Sequence, residues 1–208
     1  MSGTVYTIGH SNHPLEHFIA LLKQHDINVL CDARSDPYSR VNPQFNRETL
    51  KAALWKAGIT YVFLGKELGA RSEDPSCYVC GKVQYDRLAQ TALFRKGIES
   101  LLQRMQGRRL ALMCAEKDPL DCHRTILVAR HLDTLGIGVE HILADGSLET
   151  HGQAVARLLR QLKIPECDDL FRTRKAMIDD AYKTQSERIA YTAKGASVEI
   201  EQVRKSSR

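Results

Sequence analysis

Apolar residues recur along this chain in two alternating rhythms. Short apolar runs at residues 5–9, 28–34, 60–64, 109–114 and 138–143 read as buried strands. Between them, apolar positions fall three and four apart. Leu15, Phe18, Ile19 and Leu22 follow Pro14 in this way and predict a helix over 14–24. The same spacing predicts helices over 46–56, 84–105, 121–135 and 148–162, and Gly58 and Gly136 stand where two of them stop. Strands alternating with helices of this length predict an α/β fold: a Rossmann-like parallel sheet of about five strands with helices on both faces. Residues 1–170 form that domain. Residues 171–208 have weak periodicity and polar gaps. They read as a C-terminal extension with one short helix over 174–191, and residues beyond about Arg172 are expected to add little to the core.

In the common doubly wound order the first and fourth strands are neighbours, and the second strand lies on the far side of the first. That order gathers His10, Asn12, Asp32, Arg34, Cys114, Glu116, Cys122, His123 and Arg124 into one crevice at the carboxyl ends of the strands.

A chain of 208 residues with 43% hydrophobic content can bury a core without disulfide staples. No apolar run approaches the ~20 residues of a membrane span, and the first residues lack a basic stretch followed by an apolar core. We therefore expect a cytoplasmic protein with no membrane partner. Its six cysteines are then expected as thiols, catalytic groups or metal ligands. The net charge of +5 is uneven. Residues 1–170 carry 21 basic against 20 acidic side chains, and residues 171–208 carry 9 against 5. The basic tail admits nucleic acid as a partner.

The densest chemistry lies in Cys114-Ala-Glu-Lys-Asp-Pro-Leu-Asp-Cys-His-Arg124, between a buried strand and a helix. Cys122, His123 and Arg124 open the helix, where free N–H groups and the helix dipole lower a thiol's pKa. Arg124 offers a two-pronged fork to phosphate or carboxylate. Glu116, just past the strand, suits proton transfer or an ion pair with an arginine. Asp32 and Arg34 end the second strand, and Arg34, Ser39 and Arg40 suit phosphate; the alternative is an Asp32–Arg34 pair that shapes the loop.

Thr7-Ile-Gly-His-Ser-Asn12, Asp32-Ala-Arg34 with Pro37 and Ser39, Leu64-Gly65 with Leu68-Gly69, and Cys114-Ala-Glu-x-x-Pro-x-x-Cys-His-Arg124 resemble the domain of unknown function 488 family over residues 5–162. The resemblance implies a Rossmann-like α/β domain, and its clustered cysteines imply an enzyme; it implies no particular reaction. Cys77-x-x-Cys80 and the basic tail fall outside the pattern.

The expected function is an enzyme acting on a phosphorylated small molecule, a nucleotide or a nucleic-acid end. Cys122 or Cys114 is the expected nucleophile, Glu116 with His10 or His123 moves protons, and Arg124, Arg34, Asp32, Asn12 and Ser39 bind the ligand. A non-catalytic nucleotide-binding module or a nucleic-acid-associated accessory protein is the alternative. The first turn, Gly9-His-Ser-Asn-His-Pro14, has no G-x-G-x-x-G and argues against a nicotinamide cofactor. Cys114, Cys122, His123 and His10 form a soft N/S set suited to zinc. But Cys122 and His123 are adjacent and would diverge on a helix, and Cys77-x-x-Cys80 lacks a second cysteine pair. No metal and no other cofactor is therefore expected. His13, His17, His25, His131, His141 and His151 are assigned no role, and Tyr78, Tyr85 and Trp55 are read as packing.

Overall fold

The computed structural model describes residues 3–166 and 172–193. Cys167 and the basic stretch from Lys194 onward lie outside the described residues. A six-stranded sheet runs in the order β3 (Thr60–Phe63), β2 (Val29–Asp32), β6 (Leu110–Cys114), β1 (Thr4–Gly9), β7 (Gly138–Ile142), β8 (Leu148–Thr150). All pairs are parallel except β7 with β8. The fold is α/β and Rossmann-like. A separate hairpin joins β4 (Tyr78–Val79) to β5 (Lys82–Val83).

Side-chain alternation sorts the core into two layers. Tyr6, Ile8, Leu30, Ala111 and Met113 face α1 (Leu15–Gln24), α2 (Arg47–Lys56) and Phe45. Val5, Val29, Cys31, Leu110 and Leu112 face the opposite layer. That layer holds α4 (Tyr85–Ala89), α5 (Ala92–Arg104), α6 (Arg130–Thr134), α7 (His151–Gln161) and α8 (Arg174–Ile189). A four-residue helix, α3 (Gly65–Leu68), packs against α5.

Four expectations need correction. The second strand does not flank the first: β6 lies between them, paired with both. The helix expected over 84–105 is two helices, because Thr91 caps a fresh start by accepting from the Phe94 N–H. The segment 148–162 begins as an antiparallel edge strand before Thr150 and Gln153 form a capping box for α7. Residues beyond Arg172 do enter the core: α8 buries Met177, Ala181, Tyr182 and Gln185. These positions form a regular stripe, but it holds an alanine, a tyrosine and a glutamine beside one methionine, so it gives a weak apolar pattern in the sequence.

β1 sends its connection toward one edge of the sheet and β6 toward the other. Carboxyl ends of strands at such a reversal open the ligand crevice of doubly wound folds. Gly9 and Cys114 are partners in register there.

Candidate functional site: a thiol–imidazole cluster at the end of β6

The loop after β6 is held by its own polar groups. Asp118 accepts from the Leu120 N–H at 2.9 Å and starts a 3-10 turn over Pro119–Asp121. Arg157 grips the Asp118 carboxylate at 2.8 and 3.0 Å and also holds Glu149. Gln185 on α8 donates to the Leu120 carbonyl at 3.0 Å, so the C-terminal helix props this loop. Gly9 lets the loop cross close to β1, since a Cβ there would lie 1.9 Å from the Glu116 carbonyl oxygen.

Cys122 is extended (φ −136°, ψ 141°), His123 takes helical angles, and a π-helical segment, Arg124–Ala129, runs on into α6. The Cys122 carbonyl accepts from the Thr125 and Ile126 N–H groups, and its sulfur accepts from the Arg124 N–H at 3.4 Å. Cys122 thus acts as the N-cap, with sulfur in the place of a serine oxygen. A capping side chain folds back over the helix start. The divergence expected of Cys122 and His123 therefore does not occur.

His123 Nε2 lies 3.2 Å from the Ala33 carbonyl. A carbonyl can only accept, so Nε2 carries a proton, and in the neutral ring Nδ1 then holds the lone pair. That lone pair faces two sulfurs, Cys114 Sγ at 3.6 Å and Cys122 Sγ at 3.8 Å. Cys114, Cys122 and His123 are all buried. Burial opposes ionisation of both thiols. At Cys122 the Cys114 thiol, Arg124 and His123 outweigh it and draw the thiol well down. Cys114 is pushed up by burial and by Cys122. Burial also opposes charging of His123, but the Cys122 sulfur raises it. Glu116 is an exposed residue, and its carboxyl is near enough to both sulfurs to feel them electrostatically. Loss of hydration and the Cys122 sulfur hold it above the ordinary carboxylate range.

Arg124 is fully buried. It donates through its terminal nitrogens to the Glu116 and Lys117 carbonyls at 2.7 and 3.2 Å, and its Nε has no hydrogen-bond partner among the described residues. The guanidinium points inward and ties the loop to the helix. Its terminal nitrogens thus face protein carbonyls rather than the incoming anion that the sequence predicts.

Asp32, Arg34 and His10 end their strands on the other face of the sheet. Arg34 Nε and one terminal nitrogen clasp Asp32 at 2.9 and 2.7 Å, and the same terminal nitrogen donates to the Phe45 carbonyl. Tyr61 donates its hydroxyl to Asp32 at 2.8 Å. The other terminal nitrogen of Arg34 lies 3.2 Å from His10 Nε2, and His10 Nδ1 lies 2.7 Å from the Ser11 carbonyl. Both nitrogens of His10 are occupied, and its ring stacks on Phe45. Burial and Arg34 lower His10 to about 4. The pairing reading of Asp32 and Arg34 describes this arrangement, and the single crevice expected from the strand ends is divided by the sheet.

Asn12 is exposed and accepts from the Ser11 hydroxyl. Ser39 closes a local loop with Val41, Asn42 and Asn46. Neither bonds to the thiol cluster. Cys77 is buried, whereas Cys80 is exposed with φ 48° in the β4–β5 turn beside Gly81 at φ 72°. The two thiols of Cys77-x-x-Cys80 therefore have separate environments. Unassigned histidines form a buried chain: Thr7 Oγ1 to His141 Nδ1 at 2.7 Å, His141 Nε2 to His151 Nδ1 at 3.3 Å, His151 Nε2 to Tyr182 Oη at 2.8 Å. Period-two alternation on β7 placed His141 inward, but its partners come from residues far along the chain.

No helix among the described residues is long and apolar enough to cross a membrane. Searches among curated proteins and among solved structures return no match. The family profile of Domain of unknown function DUF488 matches residues 14–131, which include the whole Cys-Ala-Glu to Cys-His-Arg element and more than half of the 208 residues. The chain belongs to that family.

Proposed function

We propose that this protein is an enzyme whose reaction centre is the cluster of Cys114, Glu116, Cys122 and His123. One observation carries the reading: a buried imidazole turns Nδ1 to two buried sulfurs at 3.6 and 3.8 Å, at the end of a loop that also carries Glu116. Packing alone does not call for that set. Glu116 is the proton-transfer group, because it is the member in contact with solvent. The sulfurs supply the electron pairs.

The substrate is a small anionic molecule of the phosphorylated or nucleotide class. Arg34 and Arg124 are engaged by protein oxygens, so Lys117, exposed in the same loop, takes their place as the cation that such a substrate meets. A depression of about 340 Å³ adjoins it, lined by Lys117, Asp118, Pro119, Leu143, Asp145 and Arg157. A reducing, cytoplasmic setting keeps both thiols available.

The test is a mass-spectrometric screen of nucleosides, nucleoside monophosphates and simple phosphate esters for turnover by the purified full chain. Glu116→Gln is run beside it. Turnover that falls at least about 100-fold in Glu116→Gln supports the reading, on the scale of a lost general acid–base. No turnover across the panel, or turnover that Glu116→Gln leaves intact, overturns it.

A further inference from the structure

The electron pairs of the cluster point to one place. The sulfurs of Cys114 and Cys122 and the Nδ1 of His123 all lie within 4.8 Å of one another. Bonds of about 2.3 Å from zinc to sulfur and about 2.05 Å to nitrogen, at the tetrahedral angle, put S and N about 3.6 Å apart. The two S···Nδ1 distances are 3.6 and 3.8 Å. They match the two sulfur–nitrogen edges of a tetrahedral site.

The surroundings fit the same chemistry. A metal-bound histidine turns its other ring N–H to a carbonyl or carboxylate, which fixes the tautomer. Here that partner is the Ala33 carbonyl on β2. The Arg124 N–H donates to the Cys122 sulfur, a bond that supports a thiolate. Two sulfurs and one imidazole suit zinc and other soft divalent ions, not magnesium or calcium. A disulfide would leave the imidazole lone pair without a partner.

We infer that Cys114, Cys122 and His123 bind a soft divalent cation of the zinc class through two sulfurs and Nδ1, with a fourth position left open. Three protein ligands and one open position are the pattern of a catalytic rather than a structural zinc site. A water on the bound metal would lose its proton to solvent near neutral pH and supply hydroxide, so charge and protons balance. Two cysteines and a histidine on zinc, with a glutamate that is not a ligand, also serve the nucleobase deaminases. Metal binding stands by itself; its use in turnover rests on the enzyme reading above.

The experiment adds Co²⁺ to the full chain after chelator treatment and removal of the chelator. One equivalent should produce a cobalt–thiolate charge-transfer band, and Zn²⁺ should abolish it by displacement. Cys114→Ser and Cys122→Ser should each weaken Co²⁺ binding more than about 100-fold, beyond the loss seen when only an outer-shell partner is removed. Cys77→Ser and Cys80→Ser should leave the band unchanged. Should a serine variant fail to fold, peptide mapping of the wild type decides: Zn²⁺ should protect Cys114 and Cys122, but not Cys80, from alkylation.

Absence of the band, a band that survives Cys114→Ser, or alkylation that Zn²⁺ leaves unslowed overturns the inference. Turnover that persists in chelator-treated protein overturns the metal's catalytic use and spares the enzyme reading. A cobalt band without turnover, or with turnover insensitive to Glu116→Gln, does the reverse.

Discussion

The two faces of the sheet end in polar clusters of similar make-up and opposite character. On one face Asp32, Arg34, His10 and Tyr61 close on themselves: the carboxylate accepts from Arg34 and Tyr61, and both ring nitrogens of His10 are taken. On the other face the imidazole of His123 is fixed at one nitrogen and leaves the other directed at two sulfurs. Both histidines are buried and both clusters sit at strand carboxyl ends. What separates them is the kind of partner. His10 is held by a guanidinium and a carbonyl, which close a structural network, whereas His123 turns one nitrogen to two thiols, groups that can themselves titrate or take a ligand.

The largest effect should come from opening the closed face. Asp32→Ala removes the acceptor of Arg34 and Tyr61 and leaves a buried guanidinium without its countercharge. The expected loss is about 3–5 kcal/mol, the scale for breaking a buried pair from one side. Chemical denaturation measures it. Asp32→Ala combined with Arg34→Met should recover much of the loss, because no charge is then stranded. A cost under about 1 kcal/mol for Asp32→Ala, within the range of exposed ion pairs, would mean that this face is not the structural one.

The next effect is a pH dependence. The groups facing His10 are Arg34, Asp32 and Glu116, with Phe45 stacked on the ring. Burial and Arg34 hold the imidazole at about 4 against an ordinary 6.5. Between those values the unfolded chain binds more protons than the folded one, so stability rises with pH. The contribution is complete above pH 6.5 and is lost as pH falls toward 4. The lost portion approaches about 3 kcal/mol. His13, His131, His141 and His151 are also lowered and add to the trend in the same direction. His10→Gln can accept from Arg34 without titrating, and its stability should fall less steeply across the window. Identical slopes for the two proteins would remove His10 from the closed network.

The alternating apolar runs disclosed the class of fold, and the first and fourth strands are the neighbours that the doubly wound pattern implies. The position of β2 was not legible, because apolar runs do not state which strand fills a gap between two others. The site residues were legible as a group, since Cys114, Glu116, Cys122 and His123 crowd one loop. Their sorting was not. The face on which His10 and Asp32 emerge depends on strand register, and the convergence of Cys122 with His123 depends on a capping conformation one residue before the helix. Helical spacing applied across that boundary gave divergence. The Thr7–His141–His151–Tyr182 chain joins three distant segments and had no local signature.

Arg124 stands between the two characters. It belongs to the face of the thiols but is itself engaged by carbonyls. Arg124→Lys keeps the charge and loses the planar fork that reaches the Glu116 and Lys117 carbonyls together. We expect a loss of about 1.5–3 kcal/mol, the range for hydrogen bonds to charged groups. Hydrogen exchange should quicken in residues 115–118. Unchanged stability with impaired anion binding would return Arg124 to the ligand-binding role and make this face open at two points.

The smallest effect on stability should fall on the residue with the largest effect on function. Glu116 is an exposed residue on the loop that carries the thiol cluster. Glu116→Gln keeps the shape and removes the charge, so folding stability should move by no more than about 0.5 kcal/mol, as for surface substitutions generally. The carboxyl is held above the ordinary range, chiefly by lost hydration, so the folded state gains nothing from its ionisation. Removing the charge can only be neutral or slightly stabilising by that account. Thermal melting of Glu116→Gln beside Asp32→Ala makes the contrast direct. If both variants melt early, the carboxylates of the two faces are alike, and the thiol cluster is a second structural network. If Glu116→Gln melts with the wild type and Asp32→Ala does not, one face of the sheet holds the fold together while the other is free to act on a ligand.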